Sequence, residues 1–369
     1  MRHLCLTMIV KNESKCIEKC LESVSKYIDY WVICDTGSTD NTRDIVKNFF
    51  RKKNIPGKLY EDEWINFGHN RTLSLQRAKD KSKYSFVMDA DDILEGELYI
   101  PPGDYTNFSI NIHYNNLNYS RKQIFNNKLN WKYIGVIHEY PEFANSNVKM
   151  KMLTLQDCMI QASTTGSRND NFSEKYNNDK QLLLEGIKNE PKNSRYYFYL
   201  ANTCYDLCEY TDCILYYSTR IEMGGFEEEI YYSKYRMAMA YMNLFDFSKA
   251  KPYFLEAFYS RPTRLEALYE IVKYYRVHSP AEGYNYGLLG YYSCMNIPDD
   301  ILFINKSIHK FSFLDEFAVC SYYANNHKLA IELNNKILDS YNSTTSSFTI
   351  DIKRIKKNIS LSISKLVIH

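Results

Sequence analysis

Tyr84-Ser85-Phe86-Val87-Met88-Asp89-Ala90-Asp91-Asp92 is the stretch on which the fold turns. An apolar run of strand length, with no polar alternation, reads as a strand covered on both faces, and it stops abruptly in acids. The same grammar recurs upstream. Leu4 to Val10 is apolar and gives way to Lys11-Asn12-Glu13; Tyr30 to Cys34 gives way to Asp35-Thr36-Gly37-Ser38-Thr39-Asp40. Helical spacing fills the gaps. Cys16, Ile17, Cys20, Leu21 and Val24 form one stripe behind a capping Ser14, Ile45, Val46, Phe49 and Phe50 a second, and Asn66 to Lys79 gives a third helix. Strands alternating with amphipathic helices predict a mostly parallel sheet with right-handed crossovers. Such sheets bind ligands beyond the carboxyl ends of their strands, where these three polar loops lie. From about Tyr105 to Ile160 the pattern loosens: Thr106 to Ile112 alternates with period two, and Trp131 to Tyr140 and Met152 to Ile160 read as further strands and loops of the same domain.

Composition narrows the class. The 369 residues are 45% hydrophobic and 24% charged, the balance of a folded chain with room for more than one core. The near-neutral charge, 46 basic against 44 acidic residues, argues against a nucleic-acid binder or a polybasic membrane anchor. No run approaches the roughly 20 apolar residues of a membrane span, and Leu4 to Val10 is too short for a signal-peptide core. The 10 cysteines form no CxxC pair. Cys16 with Cys20, and Cys204 with Cys208, are spaced to share a helix face as small apolar residues. A reducing, cytoplasmic setting is therefore expected, without structural zinc or a disulfide framework.

Asp89 and Asp91, one residue apart on a loop, bring two carboxylates within reach of one small cation. Hard oxygen ligands suit Mg²⁺ or Mn²⁺, which retain waters and take further ligands from substrate phosphates. Alone, Asp-Ala-Asp reads as a helix cap; behind a buried strand it reads as a metal site. The Asp35 to Asp40 loop adds an acid able to accept from a base or ribose hydroxyl, and a glycine that lets backbone approach a ligand. His69 and Arg71 lie early in the third helix, whose N-terminus favours an anion.

In order, TMIVKNE (Thr7 to Glu13), VICDTGSTDNT (Val32 to Thr42), FGHNR (Phe67 to Arg71) and FVMDADD (Phe86 to Asp92) resemble glycosyltransferase family 2, nucleotide-sugar enzymes of the Rossmann-like GT-A fold. The resemblance implies that Thr7, Val10, Asn12 and Glu13 border the nucleotide pocket and that Asp35 contacts the nucleoside, with Gly37 and Ser38 shaping its loop. Asp89 and Ala90 would lie near the ribose or donor sugar, His69 and Arg71 near the phosphates, and Asp91 on the metal. His138-Glu139 resembles a later family element, His138 as a second metal or diphosphate contact and Glu139 as the base that activates the acceptor. Asp92 and Asp157 compete for that base role. Related enzymes often carry a histidine where this chain has Gln161-Ala162. The implied reaction is a metal-assisted displacement, inverting the anomeric carbon, from a nucleotide-diphosphate sugar (a UDP-sugar) to a hydroxyl of a glycan or protein.

Beyond about Asn169 the chain is rich in Tyr, Leu and Ala at helical spacing. Tyr205 over Tyr241, Ile214 over Ala250 and Tyr217 over Tyr253 give an offset of about 36 residues, close to the roughly 34 of a tetratricopeptide repeat. Pro191 and Pro262 fall where helix pairs would turn. The expected organisation is a GT-A domain over 1–165, a tetratricopeptide-like helical domain over 166–340 and a peripheral tail over 341–369, with the repeats positioning an acceptor or forming a homodimer. Rival readings are a repeat scaffold with an inert first domain, a nucleotidyltransferase, or a nucleotide-sugar hydrolase. The abundance of Asn, Lys, Ile and Tyr suggests an AT-rich genome, such as that of a giant virus or a protist.

Overall fold

The computed structural model describes residues 3–114, 117–143, 151–163, 165–166, 171–294, 296–342 and 350–367. The chain divides into two compact units, Met1–Asn189 and Glu190–His369.

The first unit is built on β1 (Leu4–Val10), α1 (Ile17–Val24), β2 (Tyr30–Asp35), α2 (Thr42–Lys53), β3 (Gly57–Glu61), α3 (Phe67–Ala78) and β4 (Tyr84–Val87). There follow β5 (Ile93–Gly96), β6 (Asn107–Tyr114), β7 (Leu117–Asn126), β8 (Trp131–Ile134), β9 (Tyr140–Phe143), β10 (Met152–Gln161) and α4 (Phe172–Asn189). One sheet runs in the order β3-β2-β1-β4-β7-β6-β10-β5, and β8 pairs with β9 separately. β3, β2, β1 and β4 are mutually parallel; β7 is antiparallel to β4 and β6, and β5 to β10. The apolar strands are covered on both faces as their sequence requires: β1 and β4 are almost wholly buried. Ile17, Cys20, Leu21 and Val24 of α1 and Val46, Phe49 and Phe50 of α2 join this core, where Trp31 stacks on Phe50 with ring centroids 4.5 Å apart.

Two local expectations change. Ser14 does not cap α1; its backbone N–H donates to Asp40 Oδ2 at 3.1 Å, and the helix begins after Cys16 without a side-chain cap. The helical region expected from residue 166 starts with α4, which belongs to the first compact unit. Residue 169 itself lies outside the described residues.

The second unit consists of α5 (Ser194–Asp206), α6 (Tyr210–Glu222), α7 (Glu227–Asn243), α8 (Phe247–Ser260), α9 (Glu266–His278), α10 (Pro280–Gly290), α11 (Phe313–Tyr323), α12 (His327–Asn342) and α13 (Ile352–Val367). Each helix packs against the next along the α5–α10 series, the nearest-neighbour pattern of a helical repeat array. Three pairs share one turn. Cys208, Phe245 and Asn325 adopt left-handed backbone (φ 62°, 59° and 60°), and the N–H groups of Glu209, Asp246 and Asn326 reach back to the carbonyls of Cys204, Tyr241 and Ser321. This Schellman closure satisfies the last carbonyls of the first helix in each pair. It also sets the repeat at 37 residues between the first two pairs, Cys208 to Phe245, so the register read from sequence is one residue short. Cys213 corresponds to Ala250 and Tyr217 to Phe254, and all four are fully buried. Cys208 therefore leaves the face it was expected to share with Cys204: it is exposed in the turn while Cys204 is buried.

The equivalent position in α10 is Gly287, where a Cβ would lie 2.0 Å from the Phe317 ring; the glycine makes room for an aromatic from α11. α13 packs on α12 with Ile355 fully buried, and Arg354 pairs with Asp315 of α11. The Ser/Thr run over 343–349 lies outside the described residues. No helix among the described residues is long and apolar enough to cross a membrane.

Candidate active site

Parallel pairing places the ends of β2 and β4 on either side of the end of β1. Residues 11–13, 35–40 and 89–92 therefore meet along one edge of the sheet, although they are far apart in sequence.

The β1 and β2 loops are stitched to each other. Asn12, in left-handed backbone (φ 58°), donates its N–H to Ser38 Oγ at 2.9 Å and accepts from the Thr39 N–H at 2.7 Å. Glu13 donates its N–H to Thr42 Oγ1 at 2.8 Å. Asp40 accepts from Ser14 and Thr42; burial would raise its pKa, but these hydrogen bonds win and hold it at about 2. Asp35 is buried, and its Oδ1 accepts from the N–H groups of Gly37 (3.0 Å) and Ser38 (2.8 Å). That turn puts Gly37 at φ +103°, a conformation open to glycine and strained for other residues even though the space a Cβ would occupy is clear to 4 Å. Asp35 Oδ2 is buried and accepts no hydrogen bond among the described residues. An ionised oxygen in that state carries a desolvation cost that a ligand hydroxyl or amide could relieve.

Thr7, Val10 and Ala90 do not project into this edge. Thr7 donates to Ser74 Oγ of α3 at 2.9 Å inside the fold. The Val10 and Ala90 side chains belong to the apolar core, and the Val10 carbonyl is taken by Thr36. Their part is to hold the strand ends in place.

The acids after β4 sit among two arginines. Gly68 lets α3 approach the β8–β9 hairpin, since a Cβ there would lie 2.2 Å from the Gly135 carbonyl oxygen; the Phe67 N–H donates to Val136 and the Tyr133 N–H to Thr72. This docking brings Glu139 to Arg71, whose Nε donates to Glu139 Oε1 at 2.6 Å while Nη2 donates to Asp89. Arg121, on β7, donates through Nη2 to Asp89 Oδ2 at 3.4 Å and Asp92 Oδ2 at 3.3 Å. Arg71 thus pairs with two carboxylates, Asp89 and Glu139. His69 is exposed; its N–H donates to Asn66, which caps α3 and satisfies part of that N-terminus. Sequence reading missed Arg121, because one arginine in an alternating strand carries no motif.

The three aspartates differ in charge behaviour. For Asp89, burial pushes the pKa up, but Arg71 and Arg121 outweigh it and hold the carboxyl well below the usual range. Asp92 is 3% exposed; burial first, then the neighbouring Asp89 charge, push it to about 7 despite Arg121. Asp91 is raised by burial and by Asp89, against the Gly166 N–H that donates to its Oδ2 at 3.0 Å. Glu13 lies beside it: a Cβ on Gly166 would be 3.0 Å from Asp91 Oδ2 and 3.4 Å from Glu13 Oε2. Cys16 is lodged here too, donating to Glu13 Oε2 at 3.2 Å, and burial raises its thiol to about 12.

Among the described residues no three His, Cys, Asp or Glu side chains gather into a metal cage. His138 occupies a left-handed turn (φ 52°) between β8 and β9 and completes no such cage with Asp91. Asp91 makes no ion pair with either arginine among the described residues, which fits an Mg²⁺-type site held by one or two carboxylates and substrate oxygens. Asp157 lies on β10, two residues before the Met159–Glu95 pairing with β5, and its carbonyl accepts from the Glu97 N–H.

Residues 5–102 match the model for glycosyl transferase family 2. That match lies wholly within the first unit. Over 207 residues the chain is 27% identical to the SPbeta prophage-derived glycosyltransferase SunS of Bacillus subtilis (strain 168), covering 53% of this chain and 47% of that protein. The chain thus spans about half the length of the curated relatives it matches. Among solved structures, S. aureus TarS 1-349 in complex with UDP-GlcNAc is 13% identical, with a TM-score of 0.37 over 70% of this chain and 92% of that one. MamA from Desulfovibrio magneticus RS-1 is 14% identical, with a TM-score of 0.36 over 47% of this chain and 90% of that one.

Proposed function

We propose that the chain is a metal-dependent, inverting glycosyltransferase that moves a sugar from a nucleotide-diphosphate donor, a UDP-sugar, to a hydroxyl of a glycan or protein. The observation that carries this reading is the division of labour along one sheet edge of a family 2 domain. A buried carboxylate oxygen without a partner among the described residues, Asp35 Oδ2, lies at the end of β2, and three electrostatically distinct aspartates lie at the end of β4. Asp35 Oδ2 accepts a hydrogen bond from the nucleoside, while Oδ1 keeps the Gly37–Ser38 turn in shape. Asp91, with Glu13 beside it, would hold a Mg²⁺ or Mn²⁺ ion, whose charge would stabilise a departing diphosphate.

Asp92 is the better candidate for the base. A proton acceptor works best with a pKa near the operating pH, and about 7 meets that condition. Glu139, fixed to Arg71, is a positioning residue that orients the guanidinium holding Asp89. Asp89 stays ionised and keeps the proton affinity of Asp92 high.

The test is turnover with a panel of nucleotide sugars and Mn²⁺, reading nucleoside diphosphate release with and without added acceptors. Asp91→Asn should fold normally and lose on the order of 10³ in rate, since several kcal/mol of charge stabilisation disappear. Equal turnover by this variant would refute the metal assignment, and release unaffected by any acceptor would make the chain a nucleotide-sugar hydrolase.

A further inference from the structure

The second unit has a long connection between α10 and α11. Other consecutive helices from α5 to α10 are joined by short turns, but α10 ends at Gly290 and α11 begins at Phe313. A 3₁₀ turn over Tyr291–Ser293 and a π-helical turn over Ile308–Ser312 bracket it, and an irregular stretch between them is at the long end of what a compact domain carries without a task. It includes a stretch without helix or strand, Pro298 to Asn305, laid over the start of α7 and the α8–α9 turn and against α5.

This stretch is gripped as a bound peptide would be. Glu228 Oε2 accepts from two successive backbone N–H groups, Ile301 at 2.9 Å and Leu302 at 2.8 Å. Arg264 donates to two successive carbonyls, Leu302 at 3.0 Å and Phe303 at 3.1 Å. Arg261 clamps the Asp300 carboxylate with Nε and Nη2, and Arg264 Nη1 reaches the same group at 3.2 Å. The Phe303 ring packs on Tyr232 (centroids 4.8 Å apart) and Phe198 (6.5 Å). Main-chain donors and acceptors are read in sequence, with one acidic and one aromatic anchor three residues apart.

The segment is also a poor piece of core. Ile301 is 84% exposed and Phe303 51% exposed, so its seat rests on polar contacts and one ring face. Phe303 takes left-handed backbone (φ 48°), which a bulky side chain adopts only when its surroundings impose it. Arg264 has a second anchor outside the segment: it pairs with Glu266, on the first turn of α9.

We propose that residues 299–303 are a tethered occupant of a peptide-recognition groove formed by α5, α7 and the α8–α9 turn. The groove's partner is an extended peptide with an acidic residue followed, three positions on, by an aromatic one. The resident segment competes with that partner, so apparent affinity is reduced by the fraction of molecules in which the groove is filled.

The experiment uses the full chain and a fluorescein-labelled peptide of the sequence Pro298 to Asn305, read by fluorescence polarisation. Replacing Asp300→Ala and Phe303→Ala together in the protein weakens the resident segment. The folded double variant, checked by circular dichroism, should bind the peptide at least about tenfold more tightly than the unmodified chain. A peptide carrying the same two alanines should bind neither. No binding to the folded variant at about 1 mM, or binding indifferent to the peptide's Asp and Phe, would overturn the proposal and leave the segment a structural strap. If the double variant does not fold, hydrogen exchange of the unmodified chain decides: excess peptide should accelerate exchange at the Ile301 and Leu302 amides, and unchanged exchange there would overturn the proposal.

Discussion

Both units bury arginines against carboxylates, and they use them differently. In the helical unit, Arg261 and Arg264 face Glu266 and Asp300, so charges are matched, and Glu266 is brought down to about 2: burial works against this, but His309 and Arg264 prevail. At the sheet edge, Arg71 and Arg121 face Asp89, Asp92 and Glu139, with Asp91 nearby. Acids are in excess there, and burial first, then the Asp89 charge, push Asp92 up to about 7. Matched buried charge specifies structure. Unmatched buried charge stores proton affinity, which a proton-transferring site requires.

Neutralising one carboxylate in each cluster should give opposite results. Glu266→Gln removes the anion against which Arg264 is buried, and is expected to destabilise the chain by about 3–5 kcal/mol, read as a lower urea midpoint. Asp92→Asn removes an acid whose ionised form the fold disfavours. Above neutral pH it should stabilise the first unit by up to a few kcal/mol while reducing turnover by at least about 100-fold. A loss of stability in both variants would show the two clusters to be the same kind of structure.

The pH dependences follow with opposite signs. Asp92 has a folded pKa above its unfolded value, so the folded state binds more protons between about pH 4 and 7. Its contribution is fully present below the unfolded pKa and lost as pH rises through 7. Glu266 is depressed, so its contribution is present above about pH 4.5 and lost as pH falls toward 2. Chemical denaturation at pH 5 and pH 8 should therefore show the first unit weakening toward pH 8. Asp92→Asn should reduce that slope, and Glu266→Gln should leave it unchanged.

Donor recognition can be separated from both clusters at Asp35. Asparagine preserves Oδ1 as the acceptor for Gly37 and Ser38 and replaces the unpartnered Oδ2 with a donor. Asp35→Asn should melt near the unmodified chain but bind nucleotide about 10–100-fold more weakly, the range of one charged hydrogen bond. Asp35→Ala should lose the turn as well, and with it stability. Equal binding by Asp35→Asn would remove Asp35 from the nucleotide site.

The sheet edge was legible in sequence because it obeys two local rules: buried strands have no polar alternation, and clustered acids follow directly at their carboxyl ends. Asp35 and Asp89 to Asp92 satisfy both. β3 did not announce itself, since Gly57-Lys58-Leu59-Tyr60-Glu61 is a half-exposed edge strand with no apolar run. The repeat register slipped by one because matching Tyr205 to Tyr241 rewards identity. The structure instead aligns burial, Tyr217 with Phe254, and turn geometry, Cys208 with Phe245. Neither turn residue is the glycine or asparagine that would have marked the left-handed position. The ion pair of Arg71 with Glu139 was not legible for a different reason. Their pairing depends on the β8–β9 hairpin docking on α3 through Gly68, a tertiary event with no local signature.

Arg121 gives the mildest perturbation and the sharpest view of the acidic cluster, because it touches two aspartates through one nitrogen. Arg121→Lys keeps the charge but loses the planar fork, and lysine cannot hold both carboxylates in fixed geometry. Asp89 retains Arg71 and remains ionised. Asp92 loses the guanidinium that hydrogen-bonds it and still faces the Asp89 charge, so its proton affinity should rise. A base must be deprotonated to work, so its titration forms the acid-side limb of the rate–pH profile. That limb should move to higher pH by about one unit, with KM for the donor little changed. Asp92→Asn should remove it, and the double variant should match, since Arg121 acts on the profile only through Asp92. A shifted limb persisting in the double variant would mean that another group, Glu139 foremost, accepts the proton.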